Sequence, residues 1–114
     1  MIEINSKEEL LEILEKDRAV LLYFAATNCG VCEVLKPKIE DEVSKNFSQM
    51  KQYFINSNQN LELASYFNIF SSPTILVFFE GKEFKRYGRN ISLDIFTLIY
   101  KRDICKRFLW LSFK

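Results

Sequence analysis

Two stretches of the chain are apolar almost without interruption, AVLLYFAA at 19–26 and TILVFF at 74–79, and polar residues close off each. A strand buried on both faces reads this way, because successive side chains point to opposite sides of a sheet and both sides must then be apolar. Elsewhere the apolar positions are spaced. MIEI at the N-terminus alternates like a short strand. Ser6 then opens a capping box with Glu9, and Leu10, Leu11, Ile13 and Leu14 supply a helical face that runs to about Lys16. Leu35, Ile39, Val43 and Phe47 recur every four residues among charged ones, which predicts a solvent-backed helix from about Cys29 to Phe47. Pro37 lies inside that helix, where it removes one backbone donor and bends the axis. QYFIN at 52–56 reads as a strand and LELASYF at 61–67 as a short helix. Glu80-Gly81 turns the chain into KEFKRY at 82–87, an alternating outer hairpin strand. Ser92 caps a closing helix with Leu93, Phe96, Tyr100 and Ile104 on one face. The order β-α-β-α-β-α-β-β-α is that of an α/β protein, a sheet covered by helices on both faces.

Composition narrows this picture. At 114 residues and 48% hydrophobic, the chain has apolar surface for one ordinary core and too little length for two. Residues 1–114 therefore read as a single domain, without repeats or a Pro/Gly/Ser-rich linker. Sixteen Lys and Arg against fifteen Asp and Glu leave a net charge of +1, which gives no general footprint for nucleic acid. No stretch approaches the roughly 20 apolar residues of a membrane span. The N-terminus also lacks the basic start and long apolar run of a signal peptide, so a cytoplasmic location is expected. Histidine is absent. That excludes a Ser/His/Asp triad, a Cys/His protease pair and any His-containing zinc site, leaving thiols, carboxylates, hydroxyls and the backbone.

Cys29 and Cys32 are the candidate chemistry: two residues apart, they could exchange electrons, hold a metal or simply sit in the fold. A four-thiolate zinc site needs two more soft ligands, and only Cys105 remains. No metal is expected. Their placement favours electron exchange, with a redox-inert pair as the alternative. A buried strand ends near Ala26, a short turn follows, and Cys29 falls at the first residues of a helix. Unpaired N–H groups and the positive end of the macrodipole stabilise a thiolate there, so Cys29 is expected to have a lowered pKa. Cys32, one turn further on, can attack a mixed disulfide at Cys29 and release the substrate. Cys105, among apolar neighbours in the last helix, reads as buried and inert. The basic and apolar tail KRDICKRFLWLSFK reads as a terminal helix packed on the sheet. A monomer is expected, with a dimer or docking contact through the apolar residues beyond Arg107 left open.

CGVC after a buried strand, Pro37 eight residues beyond Cys29, and FNIFSSPTILVFFEGKEFKRYG at 67–88 together resemble the thioredoxin family over nearly the whole chain. The resemblance implies a thioredoxin fold, with a central mixed sheet of four or five strands flanked by helices. It implies thiol-disulfide oxidoreductase activity on disulfide-containing protein substrates, with Cys29 as nucleophile and Cys32 as resolving thiol. It implies no bound cofactor and re-reduction by a thioredoxin-reductase-type electron donor. It also implies that Ser72-Pro73 is a cis peptide facing the cysteines. Asn28, Gly30, Val31, Ser72, Pro73 and Thr74 would then form the substrate-binding face, and Pro37 would be structural. Four positions depart from the family pattern. Asn28 stands where a Trp is usual, Val31 where the motif has Pro, and Tyr23 and Phe54 where the family has a buried Asp and the Lys facing it. Tyr23 reads as core filling, with a contact between its hydroxyl and the Cys32 thiol as the functional alternative. A phenol with an ordinary pKa near ~10 is a poor proton acceptor at neutral pH. The alternative function is a thioredoxin-fold docking module with little or no redox turnover.

Overall fold

The computed structural model describes the backbone of residues 1–108, and the side chains of that span apart from Ile99 and 102–108. In chain order its elements are β1 (Ile2–Glu3), α1 (Lys7–Lys16), β2 (Ala19–Ala25), α2 (Gly30–Asn46), β3 (Lys51–Asn56), α3 (Leu61–Tyr66), β4 (Thr74–Phe79), β5 (Lys82–Tyr87) and α4 (Leu93–Phe108). They form one five-stranded mixed sheet in the order β1-β3-β2-β4-β5. β3 runs parallel to both β1 and β2, β4 runs antiparallel to β2, and β5 runs antiparallel to β4.

β2 is the middle strand, and all seven of its residues are buried. Its alternate side chains build two separate cores. Leu21, Tyr23 and Ala25 pack with Ile39 and Val43 of α2 and with Phe96 and Tyr100 of α4. Val20, Leu22 and Phe24 pack with Leu10 and Leu14 of α1, Leu63 of α3, and Phe67. The uninterrupted apolar run is therefore a period-2 pattern with both faces covered. Each fully buried Leu or Phe along it contributes about 1.5–3 kcal/mol relative to exposure.

The helix starts follow from local hydrogen bonding. The Ser6 hydroxyl accepts the Glu9 N–H at 3.3 Å, and Glu8 and Glu9 sit in the first turn of α1, where the dipole favours acids. Only that half of the expected capping box is present among the described contacts, and the Ser6 hydroxyl itself donates to Glu8 at 3.3 Å. α2 begins at Gly30, with Cys29 as its cap. The boundary thus falls one residue later than the apolar spacing places it.

β4 and β5 form a hairpin through Glu80 and Gly81, both with positive φ (52° and 82°). A two-residue turn of that kind matches the right-handed twist of the strands it joins. Beyond it the register shifts by one residue, so Val77 faces Lys85 while Phe78 faces Glu83. The extra residue is Phe84, whose ring lies 5.3 Å from that of Phe79 and 5.9 Å from that of Tyr100. The rest of β5 is an exposed edge carrying Lys82, Lys85 and Arg86, a composition that discourages edge-to-edge pairing. On α4, Phe96 and Tyr100 are fully buried and their rings lie 4.4 Å apart. The expectations for the side chains of Ile104 and Cys105, and for the tail at 109–114, lie outside the described residues.

The hairpin gives a direct test. A Cβ at Gly81 would stand 3.2 Å from the Leu14 carbonyl oxygen, on a backbone that L-residues rarely adopt. Gly81→Ala is expected to lower stability by about 1–2 kcal/mol. Glu80→Asn, which supplies the preferred Asn-Gly turn, is expected to raise it by about 0.5 kcal/mol. Urea unfolding midpoints of the two variants should move in opposite directions.

Candidate active site

The path from β2 into α2 sets the site. After Ala25 the chain leaves the sheet, and Asn28 takes a left-handed conformation (φ 59°) that short polar side chains tolerate best. Two residues beyond β3 steady this turn. Asn58 Oδ1 accepts the Thr27 N–H at 2.6 Å, and the Ser57 N–H donates to the Ala25 carbonyl at 2.9 Å. Asn56 Nδ2 adds a bond to the Thr27 hydroxyl at 3.3 Å.

Cys29 and Cys32 are joined as a disulfide, with their Cα atoms 5.3 Å apart. Cys29 Sγ accepts the Cys32 N–H at 3.2 Å, so the sulfur itself caps α2 and meets the positive end of the helix. The two cysteines differ in access. Cys29 is half-buried at the mouth of the helix, whereas Cys32 is 4% exposed and packed into the core with Tyr23, Ala25 and Ile39.

Beneath the pair lies an aromatic layer in place of charge. Tyr23 is fully buried, and its hydroxyl donates to the Cys32 carbonyl oxygen at 2.7 Å; the partner is the backbone of Cys32, not its thiol. Burial pushes the Tyr23 phenol up to about 12. The Phe54 ring stacks on Tyr23 at 6.3 Å between centroids, and Lys36 Nζ sits 4.6 Å above the Phe54 ring.

The other wall comes from the entry to β4. Ser72-Pro73 is cis. Pro73 and Thr74 are buried, and the Thr74 hydroxyl donates to the Ser71 carbonyl at 2.8 Å. Thr74 pairs with Phe24 across the sheet, which brings Pro73 to the end of β2 from which the cysteine turn departs. Phe70, on the same connection, is 89% exposed. Arg89 Nη2 donates to the Ser72 carbonyl at 3.4 Å, and Arg89 closes a groove of about 350 Å3 with Gly30, Val31, Val34, Leu35 and Lys38.

The sequence-derived residues thus divide. Gly30 and Val31 line the groove, and Ser72 adjoins it through Arg89. Asn28 is exposed in the turn, and Pro37 is exposed on α2. Thr74 is held inside the ladder. Sequence reasoning named Val31 at the site and placed Leu35 on the apolar face of α2, but it missed Arg89, Phe70, Val34 and Lys38, and with them the stripe Val31, Val34, Leu35 and Lys38. The stripe had a signal, since those positions repeat at i, i+3, i+4 and i+7, a second helical face beside the one that packs on the sheet. Among the described residues, no cluster of three His, Cys, Asp or Glu side chains could hold a metal ion, and no helix is long and apolar enough to cross a membrane.

A chain of this topology, with a bonded cysteine pair at the mouth of a helix, has the dithiol-disulfide centre of an oxidoreductase. Residues 1–100 match the thioredoxin family profile, and the chain belongs to the thioredoxin family. It is 34% identical to thioredoxin from Mycoplasma genitalium over 84 residues, 74% of this chain and 81% of that protein. It is 31% identical over 85 residues to the bifunctional thioredoxin reductase/thioredoxin of Mycobacterium leprae, spanning 75% of this chain and 19% of that protein. Among solved structures, Plasmodium falciparum thioredoxin superposes with a TM-score of 0.78 at 25% identity, covering 89% of this chain and 98% of that one. Family and disulfide pair together support thiol-disulfide oxidoreductase function.

The buried phenol makes two expectations measurable. Tyr23→Phe removes the bond to the Cys32 carbonyl and should cost about 1 kcal/mol near neutral pH. Tyr53 is also pushed up to about 12, by burial and by Asp17, whose carboxylate accepts its hydroxyl at 3.1 Å. Unfolding returns each phenol to about 10. The stability they contribute is therefore complete below about pH 10 and is lost as pH rises towards 12. Urea midpoints should fall steeply above about pH 10 in the wild type and less steeply in Tyr23→Phe and Tyr53→Phe.

Proposed function

We propose that the chain reduces disulfides in proteins, with Cys29 as the attacking thiolate and Cys32 as the resolving thiol. Asn28, Gly30, Val31 and Ser72 form the face that receives the substrate segment, with the Pro73 backbone behind them, while Thr74, held in the ladder, fixes that backbone in place. The observation that carries the assignment of roles is the asymmetry of the pair: one sulfur caps a helix at the surface, while the other is buried in the core. A nucleophile for a macromolecular substrate must be reached from outside and must hold a negative charge, and the end of α2 meets both needs. Cys32 needs to reach only Cys29.

In the reduced protein, Cys29 Sγ attacks one sulfur of the substrate disulfide. That S–S bond breaks, a Cys29–substrate bond forms, and the released thiolate takes a proton from solvent. Cys32 then loses its proton and attacks Cys29 Sγ. The internal disulfide closes and the second substrate thiolate leaves, so two electrons have passed from the dithiol to the substrate. The Tyr23 phenol, pushed up to about 12, stays neutral and does not accept the Cys32 proton. Solvent at the mouth of the helix takes it.

An external donor returns the pair to the dithiol, and a reductase of the thioredoxin type fits this role. The Mycobacterium leprae relative, whose name joins the two activities, supports that pairing. The cytoplasm, where thiols are kept reduced between turnovers, suits the cycle.

Insulin disulfide reduction tests the assignment. Cys29→Ser is expected to fall to the background set by the reductant, whereas Cys32→Ser should accumulate a mixed disulfide with substrate, visible by mass spectrometry without reductant. An unaltered rate in Cys29→Ser would sink the role given to that residue. The direction of flow is read from the reduction potential: a value near about −270 mV fits a reductase and one near about −120 mV an oxidant.

A further inference from the structure

We infer that the groove beside Cys29 selects disulfide substrates in which an apolar residue and acidic residues flank the reacting cysteine, with Lys38 and Arg89 reading the acidic ones. The inference rests on the reductase reading above and adds a substrate class to it. Val31, Val34 and Leu35 give the groove an apolar floor, and Val31 and Val34 are 44% and 60% exposed. At about 350 Å3 it lies at the small end of ligand-sized clefts, which run from about 300 to 1,000 Å3. Its charged members are both cations. Lys38 lies on α2 two turns beyond Val31, and Arg89 is held against the Ser72 carbonyl at 3.4 Å.

Among the described residues, neither cation is neutralised: no carboxylate lies within 4.0 Å of Lys38 or Arg89, whereas Lys7, Lys45 and Arg86 are each paired. The acids nearest to Lys38 along its own helix face are engaged elsewhere. Glu42 accepts Asn46 Nδ2 and the Thr97 hydroxyl, and Asp41 pairs with Lys45. Glu33, in the first turn of α2, is not among the residues lining the groove. The net charge of the whole chain is only +1. A preference for acidic substrates would therefore arise from this local pair of cations and not from the overall field of the protein.

The test is single-turnover reduction, by excess pre-reduced protein, of three short peptides. Each carries one intramolecular disulfide and an apolar residue next to the outer cysteine, followed by a run of Asp, Gln or Lys. Rates are expected in the order Asp, Gln, Lys, with the Asp peptide roughly tenfold faster than the Lys peptide at low salt. The ratio should shrink towards one at about 0.5 M salt, where charges are screened within a few ångströms. Lys38→Glu should erase or invert the ratio, and Arg89→Gln should lower it. Lys82→Glu makes the same charge change on the exposed strand β5, outside the groove, and should leave the ratio as it is. Equal rates for the three peptides, or equal effects of Lys38→Glu and Lys82→Glu, would overturn the inference and leave the reductase reading standing. No turnover of any peptide by the folded, reduced protein would overturn both.

Discussion

Everything at the site depends on β2 being buried on both faces between β3 and β4. Ladder hydrogen bonds fix it on either side, and two helical layers fix it above and below, so its C-terminal end has no freedom to wander. That end launches the turn to Cys29. The same strand, through the pairing of Phe24 with Thr74, sets where β4 begins and hence where Pro73 lies. One element thereby positions the cysteine pair and the opposing proline. A slip of one residue in its register would exchange Tyr23 with Phe24 between the two cores and lift the phenol away from the Cys32 carbonyl.

The layer beneath the cysteines shows what this burial permits. Two aromatic rings, Tyr23 and Phe54, make up that layer. A buried ion pair has to overcome the desolvation of both charges, whereas a stacked Tyr23 and Phe54 bury apolar area without that cost. The cation that does approach, Lys36 over the Phe54 ring, comes from α2 four residues after Cys32. At such a partly exposed position the contact is worth about 0.5–1 kcal/mol. The interior below the redox pair is therefore held by packing and by one hydrogen bond to the backbone.

Most of the fold was legible because its signals are local. Uninterrupted apolar runs, a four-residue helical repeat and a Glu-Gly turn each depend only on near neighbours, and the first eight elements and the start of α4 appear within a residue or two of where those patterns put them. The start of α2 differs because Cys29 has extended dihedrals (φ −99°, ψ 103°) while its sulfur makes the first capping bond. Composition alone does not distinguish a first helical residue from its cap. The bulge at Phe84 was not legible either, since an extra residue in an alternating strand leaves no mark until its partner strand is known. Period-2 patterning buries Tyr23 but does not say which atom its hydroxyl meets, and that choice belongs to the packing of α2 against β2. Arg89 lies 60 residues from Cys29 in sequence. Its place at the groove follows from where the connection after β5 runs, which no local pattern records.

Charge is thus arranged in two zones. Inside, around Cys32, the groups are apolar or neutral; outside, at the rim, Lys38 and Arg89 stand in solvent. Exposed charges act over a Debye length of about 8–10 Å and on approach, which favours encounter with a complementary substrate. In the proposed cycle they contribute little to the exchange of sulfur partners once the mixed disulfide has formed, because that step is intramolecular. Selection and chemistry are consequently separable in this molecule. Changes at the rim act on the bimolecular step, while changes at Tyr23 or Phe54 act on the stability of the helix start and on the Cys32 thiol beneath it.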